Sequence, residues 1–292
     1  MTVIRPATTA DLDAIWDIRY LNDIAGEAVI PIKGTPPPYL THLLDHGTLL
    51  VAEREGRVIG YAGRVDRGGV AYLTDLFIAP QRQSGAVGSA LLRRIFVDDP
   101  WPRCTLASTD HRAISLYTRW GMAPLWPNLL LVGERQQLRP LPETDVTMVP
   151  ADVNDPRLWE KDRIASGRFR PEDLAFFIAS ERGQPFWFRR GAKTVGYGIV
   201  RLGAGRLWWP DAVTVGPLGA DSPGDAAACA LAAVSWAAAH GSPIEIAVPG
   251  PHRALAPLLN AGFRLIYVET ACLSAPGLID PTRYIGSGGD LF

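Results

Sequence analysis

The stretch Tyr72–Phe96, YLTDLFIAPQRQSGAVGSALLRRIF, decides how this chain reads. An apolar run from Tyr72 to Ile78 meets Pro80 and the small residues Ser84, Gly85, Ala86 and Gly88, after which Leu91, Leu92 and Ile95 recur at helical spacing. Strand, turn and helix follow one another directly. A helix starting at Gly85 or Ala86 leaves its first N–H groups unbonded with the helix dipole behind them, so the amides of Gly85, Ala86, Val87 and Gly88 can point at a phosphate. Gln83 and Ser84 add side-chain donors, Arg82 adds charge, and Ser89 lies in the same first turn. The same pattern also suits a plain connection in which glycine only turns the chain.

Outward from this stretch, the elements alternate. Upstream, Val3–Arg5 reads as a strand, and Leu12, Ile15, Trp16 and Arg19 as one face of a helix. A Gly- and Pro-rich loop over 24–38 and a short helical piece at Tyr39–Leu44 come next. Leu49–Glu53 and Val58–Val65 form a hairpin around Arg54–Arg57, and Val70–Ile78 is the following strand. Downstream come a strand at Cys104–Ser108, a helix at His111–Trp120 and a strand near Leu129–Val132. The expected fold is a mixed α/β sheet.

The second half repeats the first. Met148-Val149-Pro150-Ala151 echoes Ile4-Arg5-Pro6-Ala7, Val195-Gly196-Tyr197 echoes Ile59-Gly60-Tyr61, and Ala254…Leu258…Gly262-Phe263 echoes Ala113…Tyr117…Gly121-Met122. Three echoes in one order at similar offsets indicate an internal duplication. The expected organisation is a first domain at 1–135, a polar linker at 136–145 and a second domain at 146–292.

Composition narrows the partners. With 29 basic and 30 acidic residues, a net charge of −1 and 47% apolar residues, the chain has cores to build and no electrostatic footprint for nucleic acid or an anionic membrane. A small or local partner is expected. Cys104, Cys229 and Cys272 are too scattered for a metal or redox motif and read as buried, reduced thiols, so no metal is expected. The start MTVIRPATTADLDAI lacks a basic and apolar leader, and no apolar run approaches the roughly 20 residues of a membrane span, so a soluble cytoplasmic protein is expected.

These residues resemble the GNAT superfamily of N-acetyltransferases. Gln83-x-x-Ala86-x-Gly88 occupies the family's Gln/Arg-x-x-Gly-x-Gly/Ala signature, with Ala86 in place of the first glycine. Asp110-x-x-Ala113-x-x-x-Tyr117-x-x-x-Gly121-Met122 matches the later Asn-x-x-Ala-x-x-x-Tyr-x-x-x-Gly-Phe motif, with Asp110 in place of Asn. The opening Ile4-Arg5-Pro6-Ala7 and Asp11-Leu12 look like the family's first strand and helix, so the resemblance covers about residues 2–132. It implies two tandem GNAT-like domains, acetyl-CoA as acyl donor, and direct attack of a primary amine on the thioester. A small-molecule amine is the favoured acceptor, with a protein lysine or N-terminus as the other class.

Three tasks follow from that reaction. The oxyanion needs a main-chain donor, expected near Phe77 or Ile78 on the strand whose open edge would also bind the pantetheine amides. The leaving thiolate needs a proton, which the resemblance assigns to Tyr117, although spacing alone also fits a packed core aromatic. The amine must lose a proton, for which Asp75 is the first candidate and Glu53 the second, Asp75 serving equally well as a structural carboxylate. Polyamine acetyltransferases resemble this strand, but the carboxylate proposed as base in those enzymes falls on Thr74 here.

In the second half, a strand expected at Leu207–Val215 runs into Gly216–Asp225 before a helix at Ala226–Ala239. Asp221 and Asp225 would repel a pyrophosphate, and Leu258 replaces the phenol, so this copy reads as degenerate, with a structural or acceptor-pocket role. His252, beside Pro251 in a loop, reads as ordinary surface; Phe186, Trp187, Phe188, Trp208 and Trp209 read as core or as a wall of the acceptor pocket. A different function class stays open: an acyl-CoA-binding or sensing protein of weak turnover, with Ala86 and Asp110 as marks of decay.

Overall fold

The computed structural model describes residues 1–83, 86–97, 100–203, 205, 207–288 and 291–292. Two compact units, Met1–Arg103 and Cys104–Phe292, make up the chain.

The first unit is an antiparallel sheet with helices on both faces. Strands β1 (Thr2–Pro6), β2 (Thr48–Arg54), β3 (Arg57–Arg67) and β4 (Val70–Ile78) lie side by side in that order. Helices α1 (Leu12–Asp23), α2 (Pro38–His46) and α3 (Val87–Ile95) pack on them. Glu55 and Gly56 close the β2–β3 hairpin with φ of 56° and 74°, the left-handed pair that a two-residue turn on twisted strands demands. Asp11 fixes the entry to α1. Its carboxylate accepts from the Thr8 amide at 2.8 Å and the Thr8 hydroxyl at 2.9 Å, and it takes both Nη1 and Nη2 of Arg5 at 2.8 Å. Arg5, foremost, holds the Asp11 carboxyl well below the usual carboxylate range. Opposite faces of β3 serve different helices, since a side chain at Gly63 would strike Leu43 of α2 while Arg64 donates to the Ile95 carbonyl that ends α3 at 2.8 Å.

The second unit opens with β5 (Arg103–Ala107), α4 (His111–Arg119) and β6 (Ala123–Gly133). A second series follows: β7 (Thr147–Pro150), α5 (Pro156–Ser166), α6 (Pro171–Ala179), β8 (Gly183–Arg190), β9 (Lys193–Leu202), β10 (Val213–Ala220), α7 (Pro223–His240), β11 (Ile244–Pro249), α8 (Leu255–Ala261) and β12 (Arg264–Leu273). This repeats the order β-α-α-β-β-β-α-β-α-β of β1 through β6. Its sheet runs β5-β12-β6-β11-β10-β9-β8-β7, with a short strand β13 (Tyr284–Ile285) on β10. All these pairings are antiparallel except β10 with β11.

The last strands of the two series are exchanged. β6 ends the first series but pairs with β11 of the second, Gly133 facing Ile244 and Asn128 facing Pro249. β12 ends the second series but pairs with β5 of the first, Leu273 facing Cys104 and Thr270 facing Ala107. The sequence repeat and the compact units therefore have different boundaries, and residues 136–145 lie inside the second unit. Leu138 and Leu141 of that stretch pack on its apolar core.

That core is built around α7, where Ala226, Cys229, Ala230, Ala233, Val234 and Ala237 are fully enclosed against Val213, Val215, Ile244 and Ile246. Small residues let the helix sit close to the sheet. The expected strand at Leu207–Val215 is displaced: β10 begins at Val213 and carries Gly216–Gly219 inside it, because the irregularity between Val215 and Leu218 lets the strand absorb residues that read as a turn. All three cysteines are buried and unbridged, and burial pushes the thiols of Cys104 and Cys272 up to about 11. Among the described residues no helix is long and apolar enough to cross a membrane.

Candidate active site

Among the described residues, no side chain caps the start of helix α3. Its N-cap is Ala86, which offers no side chain to the first-turn amides, and that turn carries no acid. Val87, Gly88 and Ser89 form this first turn, whereas Ser84 and Gly85 lie outside the described residues. A hollow of about 300 Å³ opens beside it, lined by Ile4, Arg54, Ile59, Arg82, Ala86 and Val87. Bare amides, a dipole and two arginines suit an anion. The Gln83 Nε2 donates to Asn22 Oδ1 at 2.8 Å.

The register of β4 sorts its amides. The Ala79 amide donates to the Ile59 carbonyl at 2.9 Å, so in the alternating antiparallel pattern the Phe77 amide is also committed to β3. Those of Leu76 and Ile78 point away from β3. Of the two expected oxyanion donors, the Ile78 amide points away from β3 and the Phe77 amide toward it; the Phe77 ring stacks on Tyr61, centroids 5.6 Å apart. The Ile78 carbonyl accepts from Asn22 Nδ2 at 3.0 Å, which ties the end of β4 to α1. Asn22 gave no sequence signal, because its role rests on a contact 56 residues away.

Asp75 sits at the centre of a buried network. It follows the irregularity that leaves Thr74 unmatched between the pairs Gly63–Asp75 and Arg64–Leu73. Its Oδ1 accepts from Tyr39 at 2.9 Å and Tyr61 at 3.1 Å, and the Arg19 guanidinium lies 3.6 Å away. Arg19 reaches back to Asp23 at 3.5 Å, so Asp23 already has a cation. Burial, foremost, and then the Asp75 charge push the Tyr61 phenol well above its ordinary range. Glu53, the second candidate base, is taken by Arg5 at 2.8 Å.

Two predicted residues belong to the second unit. Tyr117 is buried on α4, which packs on β6 and β12. Asp110 is the N-cap of α4: it accepts from the Arg112 amide at 2.8 Å and holds the Arg112 guanidinium at 2.7 to 3.0 Å. That pairing with Arg112 keeps the Asp110 carboxyl below its usual range.

The corresponding parts of the second series differ. Helix α7 is capped by its own residues, since Ser222 Oγ accepts from the Asp225 amide at 3.1 Å and Asp225, in the first turn, pairs with Arg190. Leu258 is wholly buried in the core. Phe186 and Phe188 are core residues too, and Trp187 is buried, while Trp208 and Trp209 lie before β10 and are half-buried.

His252 corrects the sequence reading. It is 2% exposed, its Nδ1 accepts from the Ala254 amide at 3.2 Å, and its buried Nε2 has no hydrogen-bond partner among the described residues. Burial lowers its pKa to about 4, partly offset by Asp280. A loop histidine reads as surface when the segment that covers it lies elsewhere in the sequence. Among the described residues no group of His, Cys, Asp and Glu could hold a metal ion.

Comparison with known proteins agrees with this fold. Residues 45–121 match the acetyltransferase (GNAT) domain family. A solved structure from Pyrococcus horikoshii, assigned as an acetyltransferase, is 17% identical with a TM-score of 0.74, over 100% of this chain and 96% of that one. A GCN5-related N-acetyltransferase from Sphaerobacter thermophilus is 16% identical at a TM-score of 0.62, over 97% and 98%. A tandem GNAT protein from the clavulanic acid biosynthesis pathway is 14% identical at 0.61, over 95% and 100%. No protein with a curated description matches the chain in sequence.

Proposed function

We propose that this chain, which has the tandem GNAT fold and carries that family's domain at residues 45–121, is an N-acetyltransferase acting from its first copy. Acetyl-CoA is the acyl donor and a primary amine the acceptor, most simply a small molecule in the cytoplasm. The observation that carries this reading is the bare start of α3 directly behind β4, beside amides of Leu76 and Ile78 turned away from β3.

In this reading the first-turn amides of Val87, Gly88 and Ser89, with Arg82, hold the donor's pyrophosphate. The amine nitrogen attacks the thioester carbon, and the oxyanion that forms is met by the Ile78 amide. The C–S bond then breaks and the thiolate takes a proton from the Tyr117 phenol, while the amine proton leaves to Asp75 or to water.

The test is thiol release from acetyl-CoA over a panel of amines. Tyr117→Phe should lower kcat by roughly 10²-fold with little change in acetyl-CoA affinity. Tight acetyl-CoA binding without turnover on any amine would instead identify an acyl-CoA sensor.

A further inference from the structure

Where the first series has β4, the second has β10, and β10 runs parallel beside β11 only from Val213 to Val215. Beyond that point an extended piece of the same chain takes the free edge. Leu218 pairs with Ile285 and Gly219 with Tyr284 of β13, and the Ala220 amide donates to the Arg283 carbonyl at 3.1 Å. β13 packs on β11 as well, so it fills the gap where the two strands part. The fit is backbone to backbone: Gly216 has φ of 136°, and a Cβ there would lie 2.2 Å from the Gly286 carbonyl oxygen.

Three buried arginines face the carbonyls of this segment. Arg201 donates to the Ser287 carbonyl, Arg170 Nη1 to those of Leu291 at 2.9 Å and Phe292 at 2.8 Å, and Arg168 to that of Phe292. Asp162 and Glu181 compensate Arg170 and Arg201. Burial works against the Arg170 charge, yet Asp162 and the neighbouring tyrosines hold its pKa well above the ordinary value. The Phe292 ring is 2% exposed, set edge-on to Tyr284 at 5.8 Å and under the Arg168 guanidinium at 5.5 Å. Buried guanidiniums are costly to desolvate, and here they are spent on main-chain oxygens. Ladder bonds, carbonyl clamps and an aromatic pocket are the elements of peptide recognition by strand addition. The self-capped start of α7, with Asp225 in its first turn, offers nothing to a pyrophosphate.

We infer that the second copy is a peptide-binding cleft whose ligand is a piece of the same chain, residues 281–288 together with Leu291 and Phe292. The cleft is closed to acyl-CoA, and the chain takes up no more than one such molecule. The inference rests on the repeated fold and goes beyond acetyl transfer by the first copy.

The test keeps the full chain. A protease site inserted at the exposed Pro276–Gly277 pair allows the folded protein to be nicked, leaving the fragment bound only by non-covalent contacts. The fragment should stay with the protein through gel filtration, and Phe292→Ala should weaken its retention on the order of 10²-fold, as loss of a buried aromatic anchor does. A fragment that separates at once from the nicked wild-type chain overturns the inference. A second readout counts coenzyme A bound to the intact chain by native mass spectrometry, and two molecules per chain would also overturn it. The fragment experiment uses no acyl-CoA, so its outcome stands apart from that of the proposed acetyl transfer.

Discussion

Helices α3 and α7 occupy the same place in the repeat, and one begins bare while the other begins capped. The contrast extends to the buried charges. Tyr61 and Tyr197 are equivalent residues of the repeat, and each phenol is bonded to an aspartate. In the first copy that aspartate is Asp75 on β4, with Arg19 reaching it from α1; in the second it is Asp162 on α5, with Arg170 from the start of α6. The carboxylate has moved from the strand to the helix. With it the second copy's polar interior has turned toward Tyr284, Leu291 and Phe292, while that of the first stays on the strand proposed to hold the acyl donor. Duplication thus supplied one scaffold and two arrangements of its buried charge.

Substitutions in matched pairs can break this comparison. The largest effect is expected at the Asp162–Arg170 pair, both side chains being fully enclosed. Asp162→Ala should cost about 3–5 kcal/mol in chemical denaturation, because it strands a buried guanidinium. Asp75→Ala should cost less, roughly 1–3 kcal/mol, since Arg19 is 19% exposed and keeps Asp23 as a partner. Equal losses at the two sites would dissolve the distinction.

The next effect is one of pH. The native His252 refuses a proton until about pH 4, whereas the unfolded chain accepts one below its ordinary 6.5. Stability should therefore be full above pH 6.5 and fall as pH drops toward 4, by about 2 kcal/mol at pH 5. His252→Asn, which keeps an acceptor for the Ala254 amide, should flatten that slope in denaturant titrations at the two pH values. An unchanged slope would mean that the histidine is reached by water.

Placing in α3 the acid that α7 carries tests the bare start directly. Ala86→Asp should weaken coenzyme A binding about tenfold, or ~1.4 kcal/mol, in a calorimetric titration, through repulsion of the phosphates and self-capping of the amides. The smallest effect lies on the other side of the comparison. Ser222→Ala removes the cap of α7 and should lower stability by about 1 kcal/mol without creating a second coenzyme A site.

Much of the first copy was legible because its signals are local. β4 falls on the expected Val70–Ile78, the hairpin turns at the expected residues, and α3 starts within two positions of expectation. Asp75 was legible as a residue and not as a network, because its partners Arg19, Tyr39 and Tyr61 come from three separate elements. The shared Gly-Tyr of Ile59-Gly60-Tyr61 and Val195-Gly196-Tyr197 was the one available clue, since a repeated phenol implies a repeated acceptor. Gly216-Pro217 misled, because in sequence a turn and an irregular strand beside a close backbone look alike.

Turn residues, helix starts and the duplication itself were determined by the sequence alone, because each depends on residues within a few positions of one another or on a copied pattern. Three things were decided only in the tertiary structure: the exchange of β6 and β12, the seating of β13 beside β10, and the burial of His252. Strand edges recognise one another through main-chain N–H and C=O groups, which every residue carries. Which edge a strand finds is therefore set by the edges left open once the rest of the chain has packed.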